Sequence, residues 1–336
     1  MDPDDATGYS QLGSLLLKAG RIQDAEAALR TAVQISPRES STRGELGRLL
    51  NKEYRFEEAV VELREAIRLD PRSPALHTNL GVALEGLKRY NEALLAHEAA
   101  RALEPNSAIT EYNVGRILQQ SDDLQGAETS YRRAIELDPT YAPAHNNLGV
   151  VLRLNGRFTE ALASYTEAIR LDPNSANAHY NLGLEFSRTQ QWEPALTEYK
   201  CAVELAPGMA CARQRYAGLL DHLDRTEEAI LQYQEALRLE PQHTKTWRYL
   251  GECLMTQAYS QNWNQNVAAA KEAFEQACQR DPNDATARLW LRITQEAVLV
   301  PGEKAPWPVP LLIRSRMAAW FVTSYVQRMV QRFKRA

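Results

Sequence analysis

No run of eighteen apolar residues occurs in this chain of 336 residues, so no segment is built as a bilayer-spanning helix. The first residues, MDPDDATGYSQ, have neither a basic start nor an apolar stretch, and a secretory leader is not expected. Cysteine is scarce: Cys201, Cys211, Cys253 and Cys278 show no CxxC spacing. That argues against a zinc site or a disulfide framework and for reduced, buried thiols in a cytoplasmic protein. Phosphate loops, zinc-ligand spacings and nucleophile motifs are also missing. Among the histidines, His77, His145 and His179 recur at one place of a repeat and are assigned to packing. His97 stands in for a core aromatic, and His222 and His243 have no partner at catalytic spacing. The chain is therefore read as no enzyme, with no cofactor and no metal.

Acid is absent from one end. After Glu303 come seven bases, Lys304, Arg314, Arg316, Arg328, Arg332, Lys334 and Arg335, and no acid. The residues before that point hold 32 bases and 43 acids, a net charge of -11. An acidic body makes nucleic acid an unsuitable partner.

What is present is a period. Pro37, Pro71, Pro105, Pro139, Pro173, Pro207 and Pro241 are each 34 residues from the next. A period of this length means stacked supersecondary units. Apolar residues recur three and four places apart between the prolines, which predicts two helices per unit. Proline ends the second helix, having no amide hydrogen and disfavouring helical geometry one residue earlier. Gly13, Gly47, Gly81, Gly115, Gly149 and Gly183 lie midway along each first helix. Glycine there costs about 1 kcal/mol relative to alanine, so close helix approach is expected. Alanines recur on the second helices, with Leu29, Leu63, Tyr131, Tyr165, Tyr199 and Tyr233 as bulky partners.

This pattern resembles the tetratricopeptide repeat (TPR) family over residues 6–282. The resemblance implies an all-α fold, a right-handed superhelical solenoid of about eight helix-turn-helix units, with the first helices lining a concave groove. The seventh unit departs from it with Ala217 for glycine and Thr226 for an aromatic. The eighth runs 31 residues from Gly251 to Pro282, where the others take 24. Its insertion falls near 257–266, read either as a longer polar turn or as a lip over the groove using Tyr259 and Trp263. Residues 283–299 are read as a closing helix, because a stack needs a polar outer face at its end.

Asn79, Asn113, Asn147 and Asn181 each stand two residues before a glycine, a rotation of about 200° on a helix. If glycine faces the partner helix, asparagine faces the groove. Neighbouring helices pack roughly 8–10 Å apart and an extended peptide advances about 3.3 Å per residue, so one amide would meet every third peptide residue. An amide both donates and accepts, which suits main chain. The arrangement is similar to the asparagine ladder of O-linked N-acetylglucosamine transferase repeats, which implies peptide binding by these four residues alone. A plain wet helix face is the competing account. The expected groove bases include Arg116, Arg153, Arg188 and Arg215, against Glu45, Glu85, Asp221 and Glu252. This balance favours an extended protein segment with some negative charge as the partner. The lysine-asparagine-arginine clamp of related chaperone adaptors is missing.

Four prolines in residues 300–310 make a stiff spacer. Residues 311–336 are predicted to form a basic amphipathic helix, with Trp320, Phe321, Tyr325 and Phe333 on its apolar surface and Arg314, Arg316, Arg328 and Arg332 on its flanks. Docking on its own solenoid, on an anionic membrane surface or in a partner's groove all stay open. The whole reads as a non-catalytic interaction scaffold, cytoplasmic or peripheral at a membrane. The alternatives are a regulatory subunit of an enzyme on another chain and a membrane assembly factor acting mainly through its tail.

Overall fold

A computed structural model describes residues 5–260 and 262–296, and every regular element among them is an α-helix. These residues divide into two units after Pro173. The first holds five helix pairs: α1 (Ala6–Lys18) with α2 (Ile22–Ile35), α3 (Ser40–Lys52) with α4 (Phe56–Leu69), α5 (Pro74–Gly86) with α6 (Tyr90–Leu103), α7 (Ala108–Gln120) with α8 (Leu124–Leu137), and α9 (Ala142–Leu154) with α10 (Phe158–Leu171). The second holds α11 (Ala176–Arg188) with α12 (Trp192–Leu205), α13 (Ala210–His222) with α14 (Thr226–Leu239), α15 (Thr244–Ser260) with α16 (Trp263–Arg280), and then α17 (Ala285–Glu296). Spacer 300–310 and the basic segment 311–336 lie outside the described residues, as do 297–299 of the expected closing helix.

Each second helix stops one residue before the residue that precedes proline. Asp70 and Asp138 there have φ -134° and -138° with ψ 88° and 94°, the extended geometry that a following proline imposes. Their amides still close the last turn, on Ala66 and Ala134. Within a pair the turn is set by one left-handed residue, at Gly20, Tyr54, Lys88, Asp122, Gly156, Gln190 and Asp224, again 34 apart.

The glycines lie where the helices of a pair come closest. A Cβ on Gly115 or Gly149 would fall 2.8 or 2.6 Å from the ring of Tyr131 or Tyr165, and both tyrosines are fully buried. Leu29 and Leu63 fill the same place against Gly13 and Gly47, and His97 fills it against Gly81. Burial of these side chains and of the alanine sets beside them builds the core of each pair, at about 1.5–3 kcal/mol for each large side chain.

Polar contacts add register. His77 and His145 contact the carbonyls of Pro71 and Pro139 at 3.1 Å through Nε2. Arg43, Arg213 and Trp247 donate to their own prolines' carbonyls at 2.8–3.0 Å from the same repeat place. Packing is therefore the wrong account of His77 and His145, which satisfy a carbonyl left over where the chain leaves a helix. His179 has Nδ1 2.6 Å from Glu198. On the second helices of unit one, Glu26 binds Arg30 at 2.8 Å and Arg55 at 2.7 Å, while Glu58 binds Arg55 at 2.7 Å and Arg30 at 2.9 Å. The same quartet recurs three repeats later as Glu128, Arg132, Arg157 and Glu160.

Two expectations are corrected. The insertion forms neither a longer turn nor a separate lip backbone: α15 has 17 residues and α16 has 18, against 13 and 14 in the other pairs. Both helices lengthen by about a turn, because residues on both sides of the junction continue the helical pattern. The Tyr259 and Trp263 side chains lie outside the description. The thiols are also less uniform than expected: Cys253 is buried, Cys201 and Cys278 are half-buried and Cys211 is exposed. Cys211 lies in the first turn of α13, away from its buried face.

Candidate functional site

In unit one the asparagines stand on α5, α7 and α9, and the structure gives each a different environment. Asn113 is 7% exposed, so it is not on an open wet face. Its amide makes no hydrogen bond with any described residue. Asn147 is half-buried and donates through Nδ2 to the hydroxyls of Tyr112 at 3.2 Å and Tyr131 at 3.4 Å. Asn79 is half-buried, and its carbonyl accepts from Asn51 Nδ2 at 2.8 Å. These places lie at junctions between consecutive repeats, which explains their burial.

Around Asn113 and Asn147 the side chains form one connected cluster. Arg116 pairs with Glu85 of the preceding repeat and its guanidinium lies 5.9 Å from the centre of the Tyr112 ring, within cation–π range. Tyr112 meets Tyr141 edge-on at 5.3 Å and Tyr131 at 5.8 Å. The Tyr131 hydroxyl donates to Gln119 Oε1 at 2.8 Å. Burial pushes the Glu85 carboxyl up, against the pull of Arg116. It also pushes the Tyr112 and Tyr131 phenols up, so both stay neutral donors and acceptors.

The sequence count of groove charge treated each base as free. Arg116 is held by Glu85, and Arg48 by Glu45 at 2.6 Å. Arg153 is half-buried on α9. Glu85 stands in the sequence only as one of the groove acids, and Tyr112 and Gln119 carry no signal there as site residues, yet the three tie the cluster together. The available signal was spacing: Glu85 to Arg116 is 31 residues and Tyr112 to Asn147 is 35. Each is one repeat displaced by a helical turn or less, which brings first helices of successive repeats into register.

In unit two Asn181 is half-buried on α11. The neighbouring Tyr180 phenol lies within the influence of Arg215 and the Cys211 thiol. Burial pushes that phenol up, with Cys211 adding and Arg215 opposing. Arg188 reaches Glu185 at 3.0 Å, and the Ser187 hydroxyl donates to buried Tyr199 at 3.1 Å, whereas Gln119 accepts from Tyr131. No group of three metal-ligating side chains occurs among the described residues, and no described helix is long and apolar enough to cross a membrane.

Family profiles for the TPR repeat match residues 47–88, 115–156 and 151–188, and those for the tetratricopeptide repeat match 6–39, 212–243 and 252–284. Together they cover more than half of the chain. The chain belongs to the tetratricopeptide repeat family. Three solved TPR-fold structures are similar to it. A chain of the APC/C hetero-tetramer Cut9-Hcn1 has a TM-score of 0.63 at 12% identity, with 81% of this chain and 52% of that one covered. This protein thus spans about half of that chain's length. The pilF protein of Pseudomonas aeruginosa has a TM-score of 0.55 at 21% identity, covering 66% and 99%. The C-terminal part of a TPR repeat-containing protein from Cytophaga hutchinsonii has a TM-score of 0.52 at 19% identity, covering 74% and 99%. At these identities the likeness is one of fold. No curated protein matches the sequence. TPR proteins are in general scaffolds for contacts between proteins.

Proposed function

We propose that this TPR protein is a non-catalytic scaffold that holds an extended protein segment along its first helices, the segment's main chain being read by Asn79, Asn113, Asn147 and Asn181. The observation that carries this reading is Asn113, an amide 7% exposed that has no hydrogen bond within the described protein. Its amide oxygen and nitrogen still touch solvent, so a ligand's peptide group could replace that water for a net gain of about 0.5–1.5 kcal/mol. Tyr112 and Asn147 beside it add neutral hydrogen-bonding groups. An acidic residue in the segment would be met by Arg215, which is exposed, rather than by Arg116, already neutralised.

The test isolates a binding segment by pull-down and peptide array, then measures its affinity by calorimetry. Asn113→Ala should weaken binding about fivefold to tenfold, one hydrogen bond's worth, while leaving the melting temperature unchanged because no internal bond is lost. Unchanged affinity with early unfolding would make Asn113 a structural residue and end the reading.

The basic segment 311–336, with Arg314, Arg316, Trp320, Phe321, Tyr325, Arg328, Arg332 and Phe333, is proposed to place the scaffold at an anionic membrane surface. Full-length protein should then sediment with anionic and not with neutral vesicles, and Trp320→Glu with Phe321→Glu should abolish it. Failure to sediment, together with protection of the segment from protease in the isolated protein, would assign it to the protein's own body instead.

A further inference from the structure

Tyr131, Tyr165, Tyr199 and Tyr233 hold one place on successive second helices. Two of their hydroxyls are bonded to a side chain twelve residues earlier, on the first helix of the same pair: Tyr131 donates to Gln119 at 2.8 Å, and Tyr199 accepts from Ser187 at 3.1 Å. For Tyr233 that residue is Asp221, and the bond is not made. Tyr233 is 3% exposed, and its hydroxyl makes no hydrogen bond with a described residue, while its oxygen still reaches solvent. Asp221 is half-buried, with no ion pair and no hydrogen bond to nitrogen or oxygen among the described residues. Elsewhere this place is tied down within the protein, as Asn51 is to the Asn79 carbonyl at 2.8 Å and Glu85 is to Arg116.

The hydroxyl is uncovered for a reason written in the sequence. Gly218 stands on α13 where other first helices carry Arg48, Val82, Arg116, Val150, Leu184 and Glu252, a place half-buried or exposed in each. Beyond its own helix backbone, a Cβ on Gly218 would meet only the Tyr233 hydroxyl, at 3.3 Å. The absent side chain thus leaves a gap with that hydroxyl at its base, and Asp221 follows one turn later on the same face of α13. Burial pushes the Asp221 carboxyl up, with Asp224 adding and the Cys253 thiol and His222 opposing. Arg248 of α15 is committed elsewhere, its guanidinium 4.8 Å from the centre of the Tyr249 ring and 3.3 Å from Asp284.

On the reading that an extended segment lies along the first helices, we propose that this segment sets a lysine side chain in the Gly218 gap, its ammonium donating to the Asp221 carboxylate and to the Tyr233 hydroxyl oxygen. An ammonium carries three donors and no acceptor, so it satisfies both oxygens at once. The two oxygens come from different helices, α13 and α14, which suits a compact point charge better than the planar fork of a guanidinium. The segment then carries a base for Asp221 as well as the acid proposed for Arg215, so its charge is mixed and not merely negative.

The test applies the full chain to an array of random-sequence peptides with acetylated N-termini, in which lysine is the only primary ammonium. Bound peptides should be enriched in lysine. By calorimetry on a selected peptide, acetylating that lysine should weaken binding about tenfold or more, the worth of a charged hydrogen bond, and arginine in its place should bind several-fold more weakly. Asp221→Asn should weaken the lysine peptide by the same factor and leave the acetyl-lysine form unchanged, because both changes remove one contact. Gly218→Val installs the residue of Val82 and Val150 and should weaken the lysine peptide likewise. Tyr233→Phe should weaken it several-fold with an unchanged melting temperature, since its hydroxyl makes no internal bond, and guards against misfolding of the other variants. Peptides bound without a lysine preference, equal binding of the arginine peptide, or a lysine preference that survives in folded Asp221→Asn would each overturn the proposal and leave the scaffold reading in place. Binding of no peptide at all would overturn that reading, and the proposal with it.

Discussion

His97 offers the sharpest test of how the first unit is held together. It is fully buried on α6, packed against Gly81, and neither ring nitrogen has a hydrogen-bond partner. Burial, with Arg116 adding to it, pushes the imidazole from its ordinary 6.5 down to about 4. That fall corresponds to about 3 kcal/mol against the charged form. The sign follows from where each state takes up its proton. Below 6.5 the unfolded chain binds one, while folded His97 refuses it until about 4, so stability falls as pH falls across that window. Between pH 7 and pH 5 the loss from this group alone is about 2 kcal/mol. His97→Leu installs the residue that Leu29 and Leu63 supply at the same place against Gly13 and Gly47. It removes two unsatisfied nitrogens, worth about 1–3 kcal/mol, and it removes the titration. The variant should therefore be more stable at pH 7, with the gap widening by about 2 kcal/mol at pH 5. Amide hydrogen exchange along α5 and α6 reads this locally, and urea unfolding reads it for the chain. A gap equal at both pH values would refute the reasoning, since it would mean that His97 is protonated or solvated in the folded protein.

Gly149→Leu should overpack the contact with Tyr165, where even a Cβ would lie 2.6 Å away, costing about 1–3 kcal/mol. Because each repeat touches only its neighbours, the unfolding transition of unit one should broaden or split, and an unaltered melt would contradict the stacking. Tyr54 is left-handed at φ 60° and 81% exposed, so Tyr54→Gly should raise the melting temperature by relieving about 1–2 kcal/mol of backbone strain, reduced by glycine's greater unfolded-state entropy. A lower melting temperature would mean that its edge-on contact with Phe56 at 6.0 Å outweighs the strain. Glu128 is pushed up by burial but held below the usual carboxylate range by hydrogen bonds from Arg157 and Arg132. Its contribution is present above 4.5 and lost as pH falls through the lowered folded-state value, so Glu128→Gln should destabilise at pH 7 and the gap to the wild type should shrink as pH is taken below 4.5 in urea titrations.

The frame of this protein was legible because each of its determinants is local and repeated. A proline ends a helix through its own ring, and a glycine meets the residue sixteen places on within the same pair, as Gly115 meets Tyr131. The left-handed turn residues also share the period, but only Gly20 and Gly156 betray it by residue type. What escaped is contact between repeats. Nothing in the string says that Arg116 spends its charge on Glu85, or that Asn147 reaches back to Tyr112. The candidate asparagines were found by their spacing, but their differences were not. Asn113 is buried without a bond and Asn147 is bonded to two tyrosines, and only side-chain positions distinguish them. The insertion in the eighth unit takes the form of an extra turn on each helix, which keeps the helical period that a loop would interrupt and so gives no signal of its shape in the string.

A repeat protein makes its departures informative, because every place has internal controls. Where unit one obeys its period, each place is filled by a residue with an evident packing or capping role. Between His97 and Glu111 it departs three times within neighbouring helices: His97 takes a core place, Arg101 another, and Glu111 replaces a donor. Each departure trades an apolar contact or a satisfied carbonyl for a charged or polar group that is partly desolvated. Their costs fall on adjacent elements, α5 to α8, instead of being spread through the stack, so stability is lowered in one place. Local stability sets how readily a segment opens. Helices α5 to α8 should therefore exchange their amides faster than α9 and α10, whose places follow the period, and a segment bound at Asn113 should slow that exchange there first. The region best suited to bind is also the one that binding would stabilise most.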